Sequence, residues 1–317
     1  MDVLSGAIAA MRTGRPHFAR VRQPVVFGRR LAPVDGAGFH AVVQGSCWLI
    51  PPDGPPIPLR AGDVAFLPRG SGHGLADTPF TPLADPRPSC GGVSAPVAPD
   101  RADGSGAGAV LMCGAYMLDR SRSHPLLGEL PEVVHLPAGS GRYPALQATV
   151  ALLAGELERP GPGAEAVVPS LLDTLLLYLL RAWFTEQADQ RVATGWAAAL
   201  HDPQVAAALR AIHADPGRQW TVEGLGQRAG LSRAAFARRF TGLVGQPPLT
   251  YLTWWRMTTA AGFLLRSDAP LSAIARRIGY TSEFAFATAF KRAYGMAPGT
   301  YRRRRPTPSG TQRRHRA

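Results

Sequence analysis

Cysteine is scarce in this chain. Its three thiols, Cys47, Cys90 and Cys113, are odd in number and widely spaced over 317 residues. That excludes a disulfide framework and the paired spacing of a zinc finger, and it suits a reducing compartment, so a cytoplasmic chain is expected. Lysine is scarcer still, since 34 of the 35 cations are arginine. Long hydrophobic runs are missing too. The most apolar one, Leu171 to Leu180, is interrupted by Asp173 and Thr174, and a bilayer span needs about 20 residues, so no membrane partner is expected. The apolar stretch from Val3 to Met11 has no basic segment before it, which argues against a signal peptide. Val3, Leu4, Ile8 and Met11 fit one face of a short helix capped by Asp2.

Acidic residues are depleted from one part of the chain. Residues 201–317 hold 19 Arg or Lys against 5 Asp or Glu, whereas residues 1–200 hold 16 against 17, so the net charge of +13 sits at the C-terminal end. Such an asymmetry is the electrostatic footprint of a polyanion binder, nucleic acid above all. With 45% hydrophobic and 18% charged residues the composition is globular. The length allows two domains, each with its own core.

From Pro24 to Tyr116 the chain reads as short strands set off by Pro and Gly: VVFG, HAVVQGSCWLI, IPLRAGDVAFLP and AVLMCGAYML. That rhythm predicts a small β-barrel or sandwich. The segment between Cys90 and Gly108 has almost no apolar pattern and reads as a surface loop. Helical periodicity begins at Tyr143, with Leu146, Val150, Leu153 and Leu157 on one face, and a second, more apolar helix is expected from Ala166 to Phe184. Glu186 to Thr194 reads as a linker.

Residues 202–301 read as helices and contain a repeat. Leu225, Gly230, Phe236, Phe240 and Gly245 align with Ile274, Gly279, Phe286, Phe290 and Gly295 at offsets of 49, 49, 50, 50 and 50. Two copies of a helix, a glycine turn and a second helix explain this pattern. The phenylalanines, at helical spacing, belong to the core. The opposite face of the second helix carries Arg233, Ala237 and Arg238 in the first copy, and Glu283, Ala287, Thr288 and Lys291 in the second. A helix-turn-helix presents such a face to the major groove, where Arg bonds guanine and small residues allow close approach.

The run RMTTAAGFLLRSDAPLSAIARRIGYTSEFAFATAFKRAYGMAPGTYR resembles the signature of the AraC/XylS family of transcription regulators, through Arg256, Ala260, Leu264, Ile274, Gly279, Phe286, Phe290, Lys291, Gly295, Pro298, Tyr301 and Arg302 among others. The resemblance covers residues 203–303. It implies two helix-turn-helix units joined by a long helix, here through Leu249, Leu252, Arg256, Ala260, Phe263 and Leu264, and set on one face of double-stranded promoter DNA. By position, Ala234, Ala237 and Arg238 match the family's base-facing sites in the first unit, and Glu283, Phe284, Ala287 and Thr288 those in the second. Ser232 and Lys291 are assigned to phosphates. Phe284 either touches a thymine methyl or packs locally. The run Arg302 to Arg305 either reaches the DNA backbone or is simply solvated.

In the neutral half, Gly62, Pro68, Gly70 and His73 fit G-x5-P-x-G-x2-H, which resembles the second motif of the cupin barrel, and His40 stands where the first motif begins. The family's metal site would want a second His at Val42, a Glu near Gln44 and an Asn at the position of Asp77, none of which is present, so no metal cofactor is expected. A subgroup of these regulators answers reactive chlorine, and the placing of Cys47, His73, Cys90 and Cys113 resembles it. His40, His73 and Cys90 are therefore the candidate effector or redox residues, with a metal at these three as the other possibility. Cys47 and Cys113 read as small packing residues.

The resemblances imply an α+β chain: an N-terminal cupin-like β-barrel with a helical dimerisation segment over 1–187, a linker over 188–201, an all-α double helix-turn-helix domain over 202–305 and a basic tail over 306–317. The expected function is a transcription factor that answers a small molecule or an oxidant, forms a homodimer and engages RNA polymerase. The alternatives are a cupin enzyme with a DNA-binding appendage, and a nucleic-acid binder without sequence preference.

Overall fold

A computed structural model describes residues 2–12, 16–85, 108–118, 124–189 and 195–303. The chain divides into two units, Met11–Ala197, and Ala198–Ala317 together with Met1–Ala10. The first helix, α1 (Val3–Met11), begins as its sequence predicts, with Ser5 N donating to Asp2 Oδ1 at 3.0 Å.

The strands are β1 (His17–Gln23), β2 (Gly28–Leu31), β3 (Ala37–Ile50), β4 (Ile57–Arg60), β5 (Val64–Leu67), β6 (His73–Ala76) and β7 (Ala109–Tyr116). With β8 (Val134–Leu136) they make an antiparallel assembly in which β1, β7, β3, β5 and β8 lie side by side. The 14-residue β3 organises it. Its first half pairs with β5 and β7, its register shifts between Val42 and Gln44, and its second half pairs with β4 and β6. A bulge of this kind bends a strand and lets it serve two sheet faces. Alternate residues then face one interior. Phe27, Val42, Leu49, Leu59, Leu67, Leu75 and Leu111 are buried together there.

The motif glycines have a steric cause. Gly70 turns at φ +58°, and a Cβ there would lie 2.4 Å from the Val34 carbonyl oxygen, so no larger residue fits the corner before β6. Asp63 ties the preceding turn. Its carboxylate accepts from Arg60 N at 3.1 Å and from Ala138 N at 2.9 Å.

Helices α2 (Pro125–Gly128), α3 (Pro144–Glu158) and α4 (Ala164–Asp189) complete this unit. Tyr116 on β7 donates its hydroxyl to Leu172 O on α4 at 2.9 Å, and Arg12 is ion-paired with Asp173. Residues Ala164–Gln187 are long and apolar enough to cross a membrane, but half of an apolar 18-residue part of that stretch is buried in the protein, as in a core helix. Helix α5 (Gly195–His201) opens on Trp196, a fully buried residue whose N donates to the Glu129 carboxylate at 2.8 and 2.9 Å.

The C-terminal unit contains α6 (Pro203–Ala214), α7 (Val222–Arg228), α8 (Arg233–Val244), α9 (Pro248–Arg266), α10 (Leu271–Arg277), α11 (Glu283–Tyr294) and α12 (Pro298–Arg302). Each helix-turn-helix has its own core. Leu225, Phe236 and Phe240 are buried in the first copy, and Ile274, Ile278, Phe286 and Phe290 in the second. Helix α9 buries Tyr251, Leu252 and Trp255 near one end, and Met257, Ala261 and Leu264 near the other. Nineteen residues long, it extends about 28 Å and is the spine between the copies.

Some expectations need correction. Val25-Val26-Phe27-Gly28 is not a strand: Val25 and Val26 form a bend and are 63% and 71% exposed, with β1 ending before them and β2 beginning at Gly28. The run Ile57 to Pro68 is two strands, broken by the turn at Ala61 and Gly62. Helix α4 continues to Asp189, into the stretch read as linker. The loop with Cys90, residues 190–194 and the tail beyond Arg303 lie outside the described residues.

Candidate nucleic-acid interface and histidine pair

The two helix-turn-helix copies are built by the same local chemistry. In the first, Gly230 supplies a positive φ of 67° at the turn, and Ser232 caps α8 by accepting from Ala235 N at 3.4 Å. In the second, Gly279 at φ +83° and Ser282, accepting from Ala285 N at 3.1 Å, do the same for α11. Capping by the serines uses the oxygen lone pair and leaves the hydroxyl proton available for an outside acceptor. With the phenylalanines buried, the other side of each helix faces solvent. Arg233, Ala234 and Arg238 are exposed and Ala237 is half-buried on α8. Glu283, Phe284, Thr288 and Lys291 are exposed and Ala287 is half-buried on α11. Phe284 is 82% exposed, so the local packing that its sequence position allowed is not made.

Several arginines of the basic half have structural partners, which sequence reading did not assign. Arg239 pairs with Asp202, a carboxylate 8% exposed that also caps α6 by accepting from Gln204 N at 3.0 Å and Val205 N at 2.8 Å. Burial raises the pKa of Asp202, but the Arg239 guanidinium and these amides outweigh it and hold the carboxyl below its usual range. Arg256 on α9 donates from Nε to Pro216 O at 2.7 Å and from Nη2 to Arg218 O at 2.8 Å. Gln219 in the same loop donates to Gly279 O at 2.7 Å. The loop before the first helix-turn-helix is thereby tied both to the spine and to the turn of the second copy. Arg302 donates to Ala269 O at 2.5 Å, so it braces the α9–α10 connection, and Arg303 reaches Thr300 Oγ1 at 3.2 Å; Arg304 and Arg305 lie outside the described residues.

In the barrel, His40 on β3 and His73 on β6 point Nε2 to Nε2 at 2.6 Å. His73 Nδ1 lies 2.8 Å from Ser71 O and must donate to it, which leaves His73 Nε2 as an acceptor and makes His40 Nε2 the donor. His40 Nδ1 then carries a lone pair, buried and without a hydrogen-bond partner among the described residues. Burial pushes both imidazole pKa values down, and for His40 the neighbouring His73 adds to it, so the pair is neutral at pH 7. Across the sheets His40 is registered with Ala65 on β5 and Cys113 on β7, so Cys113 shares its face. Burial pushes the thiols of both Cys47 and Cys113 up to about 12, which keeps them protonated. Cys90, the third candidate of this site, is outside the described residues.

Two family models match the chain, a cupin over residues 2–185 and a helix-turn-helix domain over 225–304. An AraC-like transcription regulator of Streptomyces antibioticus is 36% identical over 96% of this chain and 99% of its own length. The chain belongs to the AraC family of transcription regulators. The RCS-specific HTH-type transcriptional activator RclR of Escherichia coli is 31% identical over 84% of this chain and 84% of its own. A crystal structure of the DNA-binding domain of AdpA in complex with a target DNA is 35% identical over 32% of this chain and 91% of its own, with a TM-score of 0.31.

As an AraC-type regulator the chain has double-stranded DNA as its partner, through the helix-turn-helix domain. Its cupin half does not fit a cupin metal centre. Val42 offers no donor atom and lies in the core, Gln44 is exposed, and Asp77 Oδ1 already accepts from Phe27 N at 3.0 Å and Thr81 Oγ1 at 2.9 Å. Among the described residues no three His, Cys, Asp or Glu side chains gather as metal ligands.

Proposed function

We propose that this AraC-type regulator is a cytoplasmic homodimer that reads promoter DNA with α8 and α11, under control of a signal received in its cupin barrel, and carries out no reaction of its own. The observation that carries this reading is the pair of exposed helix faces, Arg233, Ala234 and Arg238, and Glu283, Phe284, Thr288 and Lys291, on helices braced by one spine. Arg238 and Arg233 bond base edges, Ala234, Ala237 and Ala287 admit close approach, Glu283 and Thr288 read the second segment, and Ser232 and Lys291 hold phosphates. The sensing domain is assigned to 1–187, the connection to 188–201 and the DNA-binding domain to 202–305. The helices α3 and α4 supply the dimerisation surface, and RNA polymerase is the partner through which binding alters transcription.

The signal enters at His40 and His73. A buried acceptor, His40 Nδ1, stands ready for a donor group on a small molecule. An oxidant is the other class of signal, supported by the RCS specificity in the name of the Escherichia coli relative. Protonated Cys47 and Cys113 are poor nucleophiles, which leaves Cys90 as the thiol for that route. A catalytic cupin is the competing reading, and the ligand positions held by Val42 and Gln44 count against it. The test is binding to the protein's own upstream DNA with excess competitor, reduced and then mildly oxidised. A change on oxidation that Cys90→Ala abolishes supports redox sensing. A change with small-molecule extracts that His40→Ala abolishes supports the pocket. Metal-dependent turnover would overturn the reading.

A further inference from the structure

We infer that Phe284 makes α11 a reader of the thymine 5-methyl group, so that the two helix-turn-helix copies recognise their DNA segments by different chemistry. The inference rests on the reading that α11 enters the major groove. Phe284 is the second residue of α11, after the Ser282 cap and Glu283. The first turn of a recognition helix is the part that meets base edges. A large apolar side chain placed there and 82% exposed contributes nothing to the core, whereas Phe286 and Phe290, farther along the same helix, are fully buried.

A phenyl ring has no hydrogen-bonding atom, so it cannot read the donors and acceptors of a base pair. The one apolar group that a base pair of unmodified DNA shows in the major groove is the thymine methyl. The surroundings agree with this. Ala287 and Thr288 follow one turn along the same face, both able to lie close to a base edge, and Lys291 a turn farther is placed for a phosphate. The repeat supplies a contrast within the molecule. At an offset of 50 residues the first copy has Ala234 in place of Phe284, Arg233 in place of Glu283 and Arg238 in place of Thr288. The first copy is thus equipped for guanine through two guanidinium groups, and the second for a methylated pyrimidine. An operator read this way is asymmetric, and it fixes the direction in which the chain lies on the duplex.

The experiment locates the operator by footprinting with the full chain, then replaces each thymine singly by deoxyuridine, which removes the methyl and nothing else. Expected is one position in the segment nearer α11 where the substitution weakens binding by about fourfold, the scale of one buried methyl group. With Phe284→Ala, affinity for thymine DNA falls by a similar factor, the deoxyuridine substitution no longer matters, and the melting temperature is unchanged because the side chain is exposed. The inference is overturned if Phe284→Ala binds as the parent does, or if it still senses the methyl at that position. A Phe284→Ala protein that binds DNA normally but fails to activate transcription would assign the ring to a protein partner and likewise overturn it. All three outcomes leave the DNA-reading function standing, whereas failure of that function would show as no footprint at all.

Discussion

Neighbouring arginines on α8 do different work. Arg238 is exposed on the face turned to solvent, while Arg239, one residue and about 100° farther round the helix, is engaged with Asp202. Replacing Arg239 by Ala leaves a nearly buried carboxylate without its cation. We expect a lower melting temperature, by a modest amount because half of the arginine is in water, and unchanged DNA affinity per folded molecule. Arg238→Ala should do the reverse, keeping the melting temperature and losing about 1–3 kcal/mol of operator binding, the value of a bidentate base contact. Thermal unfolding and operator titration of the two variants distinguish these outcomes. His213 gives a pH signature. It stacks on Trp255 with ring centroids 3.8 Å apart, meets Tyr251 Oη at 2.6 Å, and is held neutral by burial, its pKa lowered to about 3. The unfolded chain takes up this proton near pH 6.5 and the folded chain only near pH 3, so the contribution is complete above pH 6.5 and drains away as the pH falls. Between pH 7 and pH 5 it removes about 2 kcal/mol. His213→Phe should flatten that part of the stability profile, and an unchanged slope would show that the buried imidazole is not its source.

At the scale of elements, the spine and its loop set the relation between the reading helices. Gly279 turns at φ +83°, and a Cβ there would lie 2.4 Å from Gly217 O and 2.7 Å from Arg256 Nη2. Gly279→Ala is therefore expected to cost about 1–3 kcal/mol, from backbone strain and the displaced loop. Arg256→Ala frees the same loop more gently, and it should weaken binding to the complete operator more than to a duplex carrying one segment alone. Much of this architecture was legible in the sequence, because repetition, glycine turns and phenylalanine spacing are local signals. Helices α7 and α10 end at Arg228 and Arg277, each two residues before the repeat's turn glycine, and α3 ends at Glu158, one residue past the last periodic leucine, Leu157. The partners of Arg239, Arg256 and Arg302 were not legible, since Asp202, Pro216 and Ala269 lie 33 to 40 residues away in sequence. Val25-Val26 misled because β-branched residues favour extended backbone whether or not a strand pairs with them. For the histidines, the cupin motif pointed to His40 and His73, and the fold adds that their Nε2 atoms meet and that Cys113 stands across the sheet.

At the scale of the whole molecule, the positive charge and the reading faces coincide in one unit, while the neutral half holds the His40–His73 pair. Charge alone would bind any duplex, with an affinity that falls steeply as salt rises. Lys291→Ala should reduce that salt dependence by about one unit of slope and weaken all sequences alike. In the proposed reading, specificity adds base contacts of Arg238 and its neighbours, and these do not depend on salt in the same way. The proposed coupling to the barrel is a difference in how well the signalled and unsignalled protein hold the operator. The most direct test of the account is the ratio of affinities for a fragment of the protein's own upstream region and for unrelated DNA of equal length, at physiological salt. The account predicts a preference of at least about a thousandfold, lowered by roughly twentyfold to several hundredfold on Arg238→Ala combined with Phe284→Ala. A ratio near one for the unmodified chain would contradict it and leave a binder of DNA by charge alone.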